Sequence, residues 1–241
     1  MIAGWFDCGG IRLSVTSVMQ EYLAETYRIA SYQDHAYVST SELADRINKT
    51  APAVVRMASR LREAGLIEHE PYQGIRLTEK GEREALYSIR RHRIVEVFLV
   101  QVMGLGWHEV HDESDELTAA ISDKLLERMD EMVGSPGRCP HGEPIPGRDG
   151  VMPIINDVPL VSLTPEHPCT ISRVNTHDPE KLLYLQDIKL MPGQDIDLVA
   201  RAPFNGPLRL RIEHSEQVIG TELATALRVC QRGDFELRMP R

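Results

Sequence analysis

Two histidine-centred spacings in this chain could take up a cation. His92 and Glu96 stand four apart within RRHRIVEVFL (residues 90–99), a stretch of helical periodicity, so both project from one face. Imidazole and carboxylate at that separation can hold a divalent metal. Taken alone, the spacing describes a solvated helix pair beside Arg91 and Arg93 better than a metal site. The second spacing is Cys139-Pro140-His141. In extended backbone residues i and i+2 point the same way, so thiolate and imidazole could meet one ion. By itself a single Cys-x-His in a Pro-rich loop is weak. His111 opens the acidic run Asp112, Glu113, Asp115, Glu116, which alone reads as a solvated face, and Glu21 and Asp178 carry no signal of their own. There is no phosphate loop, no GxGxxG after a strand, no HExxH and no GxSxG, so no enzyme is expected.

The elements around these residues begin with a DNA-reading pattern. Residues 14–31 are helical by spacing, with Val18, Tyr22, Glu25 and Ile29 in register. Ser39 and Glu42 have capping-box spacing, and Leu43, Ala44 and Ile47 give the next helix an apolar face. After the turn Asn48–Ala51, Pro52 occupies the first turn of another helix, Val54, Ala58 and Leu61 face inward, and Gly65 is placed to end it. Leu66-Ile67 and Ile75–Leu77 then flank the turn Pro71-Tyr72-Gln73-Gly74 as a wing. This order of parts predicts a winged helix-turn-helix. Thr50, Pro52 and Arg56 are its base-reading candidates, with Lys49 and Arg60 assigned to phosphate.

A long helix is expected from about Glu79 to Met103, capped by Thr78, and one acidic helix from about Asp112 to Met132. Eight prolines between Pro136 and Pro168 predict an interdomain linker. Beyond it, runs at 170–174, 196–200, 208–212 and 217–219 with one helix near 179–187 suggest a small β-barrel. The fold class is therefore mainly α with a C-terminal β domain. The expected divisions are 12–78 (DNA-binding), 79–135 (helical), 136–164 (linker) and 165–241 (barrel).

The net charge of −9 over 241 residues is unevenly spread. Residues 41–93 hold 11 basic and 8 acidic side chains, a balance of +3, whereas 94–135 hold 2 basic and 10 acidic, a balance of −8. Phosphate binding depends on the local face, so the acidic total does not oppose DNA binding. The four cysteines are scattered and no apolar run approaches a membrane span, so a cytoplasmic protein with reduced thiols is expected.

From Ser14 onward the chain resembles the diphtheria-toxin-repressor and manganese-transport-regulator family of metal-dependent transcriptional repressors. The resemblance rests on EYLAETY (21–27), APAVV in the helix-turn-helix, YQGIRLTEKGE, RRHRIVEVFL, WHEVHDESDEL (107–117), CPHGEPIPG (139–147), DPEKLLYLQDIKLMPG and APFNGPL, in that order. It implies a helical dimerisation and metal domain, a FeoA-like, SH3-like barrel, a homodimer and a palindromic operator, with neither a membrane nor a small organic substrate as partner. Glu21 corresponds to the ligand that the family's first helix carries, and His92, Glu96 and His111 to the histidine, glutamate and histidine of its metal sites. Cys139, His141 and Asp178 correspond to ligands of some manganese-responsive members. One departure matters: Asp115 keeps a possible ligand of the family's primary site, but Thr118 and Ala119 replace its Glu-His pair. The working site is therefore expected to be His92, Glu96, His111, Cys139, His141 and Asp178.

The corepressor implied is Mn²⁺, with Fe²⁺ as the alternative and Zn²⁺, Co²⁺ or Cd²⁺ able to bind in vitro. Asp115, where iron-sensing relatives often carry sulfur, favours manganese. Two other readings stay open: a winged-helix regulator that has lost metal sensing, and a metal-trafficking protein on the same scaffold.

Overall fold

Thr16 accepts the backbone N–H of Met19 and starts α1 (Ser17–Ala30). The computed structural model describes residues 15–33, 35–70 and 72–237; the expected domain start at 12, Cys8, Ser14 and the wing residue Pro71 fall outside these. Ser39 caps α2 (Thr40–Arg46) by accepting the Glu42 N–H at 3.1 Å. The Glu42 carboxylate turns to Gln33 Nε2, 2.9 Å away, rather than back to Ser39. In α3 (Ala51–Glu63) Thr50 is the N-cap residue and Pro52 lies in the first turn. Gly65, at φ +69°, closes the helix: its N–H donates to Arg62 O and that of Leu66 to Leu61 O, both at 2.9 Å. These crossed bonds satisfy carbonyls that the helix end would leave orphaned.

The wing is an antiparallel pair, β1 (Ile67–Glu70) and β2 (Gly74–Leu77). Val38 adds a bridge to Ile75 with both N–H···O bonds at 2.8 Å. A Cβ on Gly74 would lie 2.2 Å from the Val38 carbonyl oxygen, so only glycine permits this approach. Leu23, Leu43, Val54, Leu61, Leu66 and Ile75 are almost fully buried in one cluster, which joins the three helices to the wing.

Thr78 Oγ1 accepts from Gly81 N at 3.1 Å in the first turn of α4 (Glu79–Gln101). The chain divides into two compact units within this helix. Among the described residues, those from 15 to 91, with 146–151, form one; those from 92 to 145, with 152–237, form the other. Every side chain from Arg91 to Val97 is buried, including those of Arg91, His92, Arg93 and Glu96. Buried charges of this kind require partners or a metal.

The single acidic helix expected at Asp112–Met132 is two helices, α5 (Val110–Ala120) and α6 (Asp123–Met132). Ile121 is extended at ψ 146° and Ser122 accepts the Leu125 N–H, so a new N-cap interrupts what the apolar pattern leaves continuous. The Pro-rich segment has little regular structure beyond β3 (Val158–Pro159) and a short 3₁₀ turn, yet Cys139, His141, Ile145 and Leu160 within it are buried.

The β domain contains β4 (His167–Val174), α7 (Pro179–Asp187), β5 (Asp195–Arg201), β6 (Leu208–Ile212), β7 (Ser215–Ile219), α8 (Thr221–Thr225) and β8 (Leu227–Gln231). Its sheet has the order β3-β8-β4-β5-β6-β7, with every pair antiparallel. β3, β8 and α8 are additions to the expected set. Leu160, Ile171, Leu182, Leu185, Leu198 and Leu210 build its core, and Trp107, from the loop before α5, is part of the same cluster.

Candidate metal centre

Glu96 is the focus of the second unit. Its Oε1 lies 3.1 Å from His92 Nε2, 3.5 Å from His141 Nδ1 and 3.7 Å from His111 Nδ1. α4 supplies His92 and Glu96 at the i, i+4 spacing, α5 supplies His111, and the Pro-rich loop supplies His141 with Cys139, whose Sγ is 4.0 Å from His141 Nδ1. Two triads of possible ligand atoms result, His92–Glu96–His111 and Glu96–Cys139–His141, each within 4.8 Å, and Glu96 belongs to both.

Burial would raise the Glu96 carboxyl, but the charge on His92 and the imidazoles of His111 and His141 hold it well below the usual carboxylate range. Burial also works against a proton on His141; the Cys139 sulfur and Glu96 outweigh it and push His141 up to about 11. The Cys139 thiol is pushed up by burial and by Glu96. His111 Nδ1 is buried with no hydrogen-bond partner among the described residues. An ionised carboxylate, three imidazoles (one of them with an orphaned ring nitrogen) and a thiol form a donor set suited to a divalent transition metal.

Outer contacts set the ring orientations. His141 Nε2 lies 2.9 Å from the Trp107 carbonyl, which, as a donor's partner, leaves Nδ1 to face Glu96. Asp115 Oδ1 sits 3.0 Å from His92 Nδ1 and likewise presents His92 Nε2 inward. The loop is held in a tight turn by Cys139 N–H to Glu143 O at 2.9 Å, and Val174 of β4 donates to His141 O at 2.9 Å. Gly142, at φ +86°, lies against β4 so closely that a Cβ would be 2.3 Å from Ser172 O.

His92, Glu96, His111, Cys139 and His141 are thus brought together. Asp115 stands one shell out and is exposed, outside both triads. Asp178 departs from its expected place: its carboxylate caps α7 by accepting from the N–H groups of Glu180 and Lys181, and neither triad contains it. Asp178 stands immediately before Pro179, where a helix start demands a capping oxygen. Its neighbour His177, which sequence reasoning missed, reaches the site instead. The His177 ring stacks on His111 with centroids 3.6 Å apart and is 5.7 Å from His141. A lone histidine in a loop has no spacing to mark it; only the preceding Thr-His-Asp-Pro helix start hinted at its position. Glu21 is exposed on α1 in the first unit, and Thr118 and Ala119 lie on α5. In the winged helix Lys49, Thr50, Pro52, Arg56 and Arg60 are all exposed.

Comparison with known proteins agrees with this architecture. Residues 14–75 match the iron dependent repressor N-terminal DNA binding domain, 78–147 the iron dependent repressor metal binding and dimerisation domain, and 158–230 the FeoA domain. The iron-dependent repressor IdeR of Mycobacterium tuberculosis is 29% identical over 202 residues, covering 78% of this chain and 87% of that protein. A manganese-dependent transcriptional repressor solved in complex with manganese is 35% identical with a TM-score of 0.82, covering 88% of this chain and 99% of that one. ScaR with bound Cd²⁺ is 26% identical with a TM-score of 0.74, covering 88% of this chain and 98% of that one. No helix among the described residues is long and apolar enough to cross a membrane. The chain belongs to the diphtheria-toxin-repressor and iron-dependent-repressor family, whose members are metal-dependent, DNA-binding transcriptional repressors and not enzymes, and it carries the family's DNA-binding, metal-binding and dimerisation, and FeoA domains.

Proposed function

We propose that this repressor responds to manganese through one centre built from His92, Glu96, His111, Cys139 and His141, with His177 at its rim and Asp115 orienting His92. The observation that carries the reading is the convergence of three imidazoles on the buried Glu96 Oε1. A divalent cation bound there supplies the positive charge that this carboxylate and thiol require once their protons leave. Carboxylate and imidazole donors suit Mn²⁺, and Cys139 also tolerates Fe²⁺, Co²⁺, Zn²⁺ or Cd²⁺. The likeness to a repressor solved with manganese supports the first choice.

His92 and Glu96 sit on α4, His111 on α5 and Cys139 and His141 on the loop, so one ion would bridge three segments and tighten their packing. The freedom lost in α4 restricts the winged helix that precedes it in the chain and favours one DNA-competent arrangement. Turning such an equilibrium from mostly off to mostly on requires about 5.5 kcal/mol of differential affinity. Exposed Val102 and Met103 after α4 and Leu125 and Met132 on α6, seven apart on one helix face, provide an apolar surface for a second copy. The homodimer would present two α3 helices to a palindromic operator, with Thr50, Pro52 and Arg56 at base edges and Lys49 and Arg60 at phosphates. The test is anaerobic DNA binding on genomic fragments with Mn²⁺ and Fe²⁺ titrated separately. Manganese should tighten binding at least tenfold; unchanged binding in chelator would leave a metal-independent regulator.

A further inference from the structure

Beside the centre, Glu143 is held between two guanidinium groups. Arg93 Nη2 donates to its Oε2 at 3.1 Å, and Arg173 Nη1 reaches Oε1 at 3.2 Å and Oε2 at 3.1 Å. The chain of charges continues through Arg173 Nε to Asp157 Oδ2 at 2.7 Å and Arg228 Nε to Asp157 Oδ1 at 2.6 Å. Side-chain exposure is 7% for Arg93, 17% for Glu143, 13% for Arg173 and 1% for Asp157, so the groups are shielded from water. Arg93 is the residue after His92, and it also donates to Pro144 O. Glu143 follows His141 by two residues, and Arg173 belongs to β4. One carboxylate thereby ties the ligand loop to the ligand helix and to the β domain.

We propose that Glu143 is a positioning residue for the metal centre, fixing the Cys139–His141 loop against α4 and β4 simultaneously. Two effects give it leverage. Metal sites tolerate ligand errors of only about 0.2 Å, and a loop meets that standard only when its backbone is restrained from outside. Glu143 also offsets the charge of two shielded guanidinium groups near a centre that must accept a dication; without its charge the balance beside the centre turns more positive, which weakens cation binding. The inference rests on Cys139 and His141 being ligands, and the experiment keeps that reading separable.

The experiment is Co²⁺ titration of the full chain under anaerobic conditions, following the sulfur-to-cobalt charge-transfer band, with thermal melting of each metal-free variant. Cys139→Ser should abolish the band; if the band persists, the ligand reading fails and this inference with it. Given the band, Glu143→Gln should retain it at saturation with altered position or intensity, while half-saturation moves to about ten- to a hundredfold higher Co²⁺. Arg173→Gln should weaken binding in the same direction, and the double variant should bind no more weakly than Glu143→Gln alone, because both remove one link. Unchanged cobalt affinity and spectrum in Glu143→Gln, or fully additive losses, would overturn the proposal. Should Glu143→Gln fail to fold, Glu143→Asp keeps the charge but retracts it by one methylene; a several-fold loss is expected, and wild-type affinity would count against the proposal.

Discussion

His141 directs its Nε2 to the Trp107 carbonyl at 2.9 Å while its ring stacks on the Trp107 indole, centroids 5.7 Å apart. One face of this proposed ligand is therefore also the face of an indole. Mn²⁺ is paramagnetic and should quench Trp107 emission as it binds. Trp107→Phe should still bind the metal yet lose the fluorescence response; a response surviving in that variant would have to come from Trp5, and the stacked pair would not be the reporter.

Metal affinity should rise with pH. Cys139 and Glu96 push His141 up to about 11 and burial raises the Cys139 thiol, whereas the imidazoles keep Glu96 ionised, so both His141 and Cys139 are expected to release protons on binding an ion. Below those values each proton displaced weakens apparent binding by about tenfold per unit of pH lowered. Calorimetry in buffers of different ionisation enthalpy counts the protons directly. A count near zero between pH 6 and 8 would remove the Cys139 thiol from the ligand set and show that His141 is already neutral there.

Asp115→Asn tests orientation apart from coordination. Asp115 is exposed and meets the centre at His92 Nδ1. Loss of its charge should weaken Mn²⁺ binding by about ten- to a hundredfold and leave metal-free melting unchanged. An equal loss of melting temperature would make Asp115 a stability residue instead.

The β domain should show an acid limit set by Asp157. Burial would raise this carboxyl, and Arg173 and Arg228 together hold it below its ordinary value. Its contribution is therefore fully present above the unfolded value of about 3.9 and is lost as pH falls through the lower folded value. Asp157→Asn at neutral pH leaves two guanidinium groups without their shared anion and should cost about 3–5 kcal/mol. Urea melts of wild type and variant should converge at low pH; parallel curves would show that the charge contributes nothing.

On the winged helix, Arg56→Ala should cost about 1–3 kcal/mol on the cognate operator and relax one base preference. Lys49→Ala and Arg60→Ala should weaken all sequences alike and lower the salt dependence by about one counterion each. Footprinting and salt-titrated gel shifts distinguish the two patterns.

The winged helix was readable because its punctuation is chemical and local. Ser39, Pro52 and Gly65 each do in the fold what their residue types require of a helix end. The break at Ile121–Ser122 escaped because Leu117, Ile121 and Leu125 continue a helical repeat across a cap whose serine resembles any surface serine. β8 escaped for a related reason: Leu227 and Val229 alternate with Arg228, but Cys230 blurs the period and the strand's partners on β4 and β3 lie more than fifty residues earlier in the chain. In the centre, His92 and Glu96 were legible as a pair on one helix. His177 was not, because its place beside His111 exists only once the β domain has folded. Asp178 lies in neither triad because a carboxylate before Pro179 caps the helix that follows.

Gly142 carries a consequence for how this repressor can fail. The loop rests on the backbone of β4 with no room for a Cβ, so any other residue there would have to lift the turn that carries Cys139 and His141. The winged helix has its own core and shares none of that turn. A chain with alanine at 142 would keep its grammar for DNA and lose its hearing for metal, a lesion of the signal that leaves the reader intact.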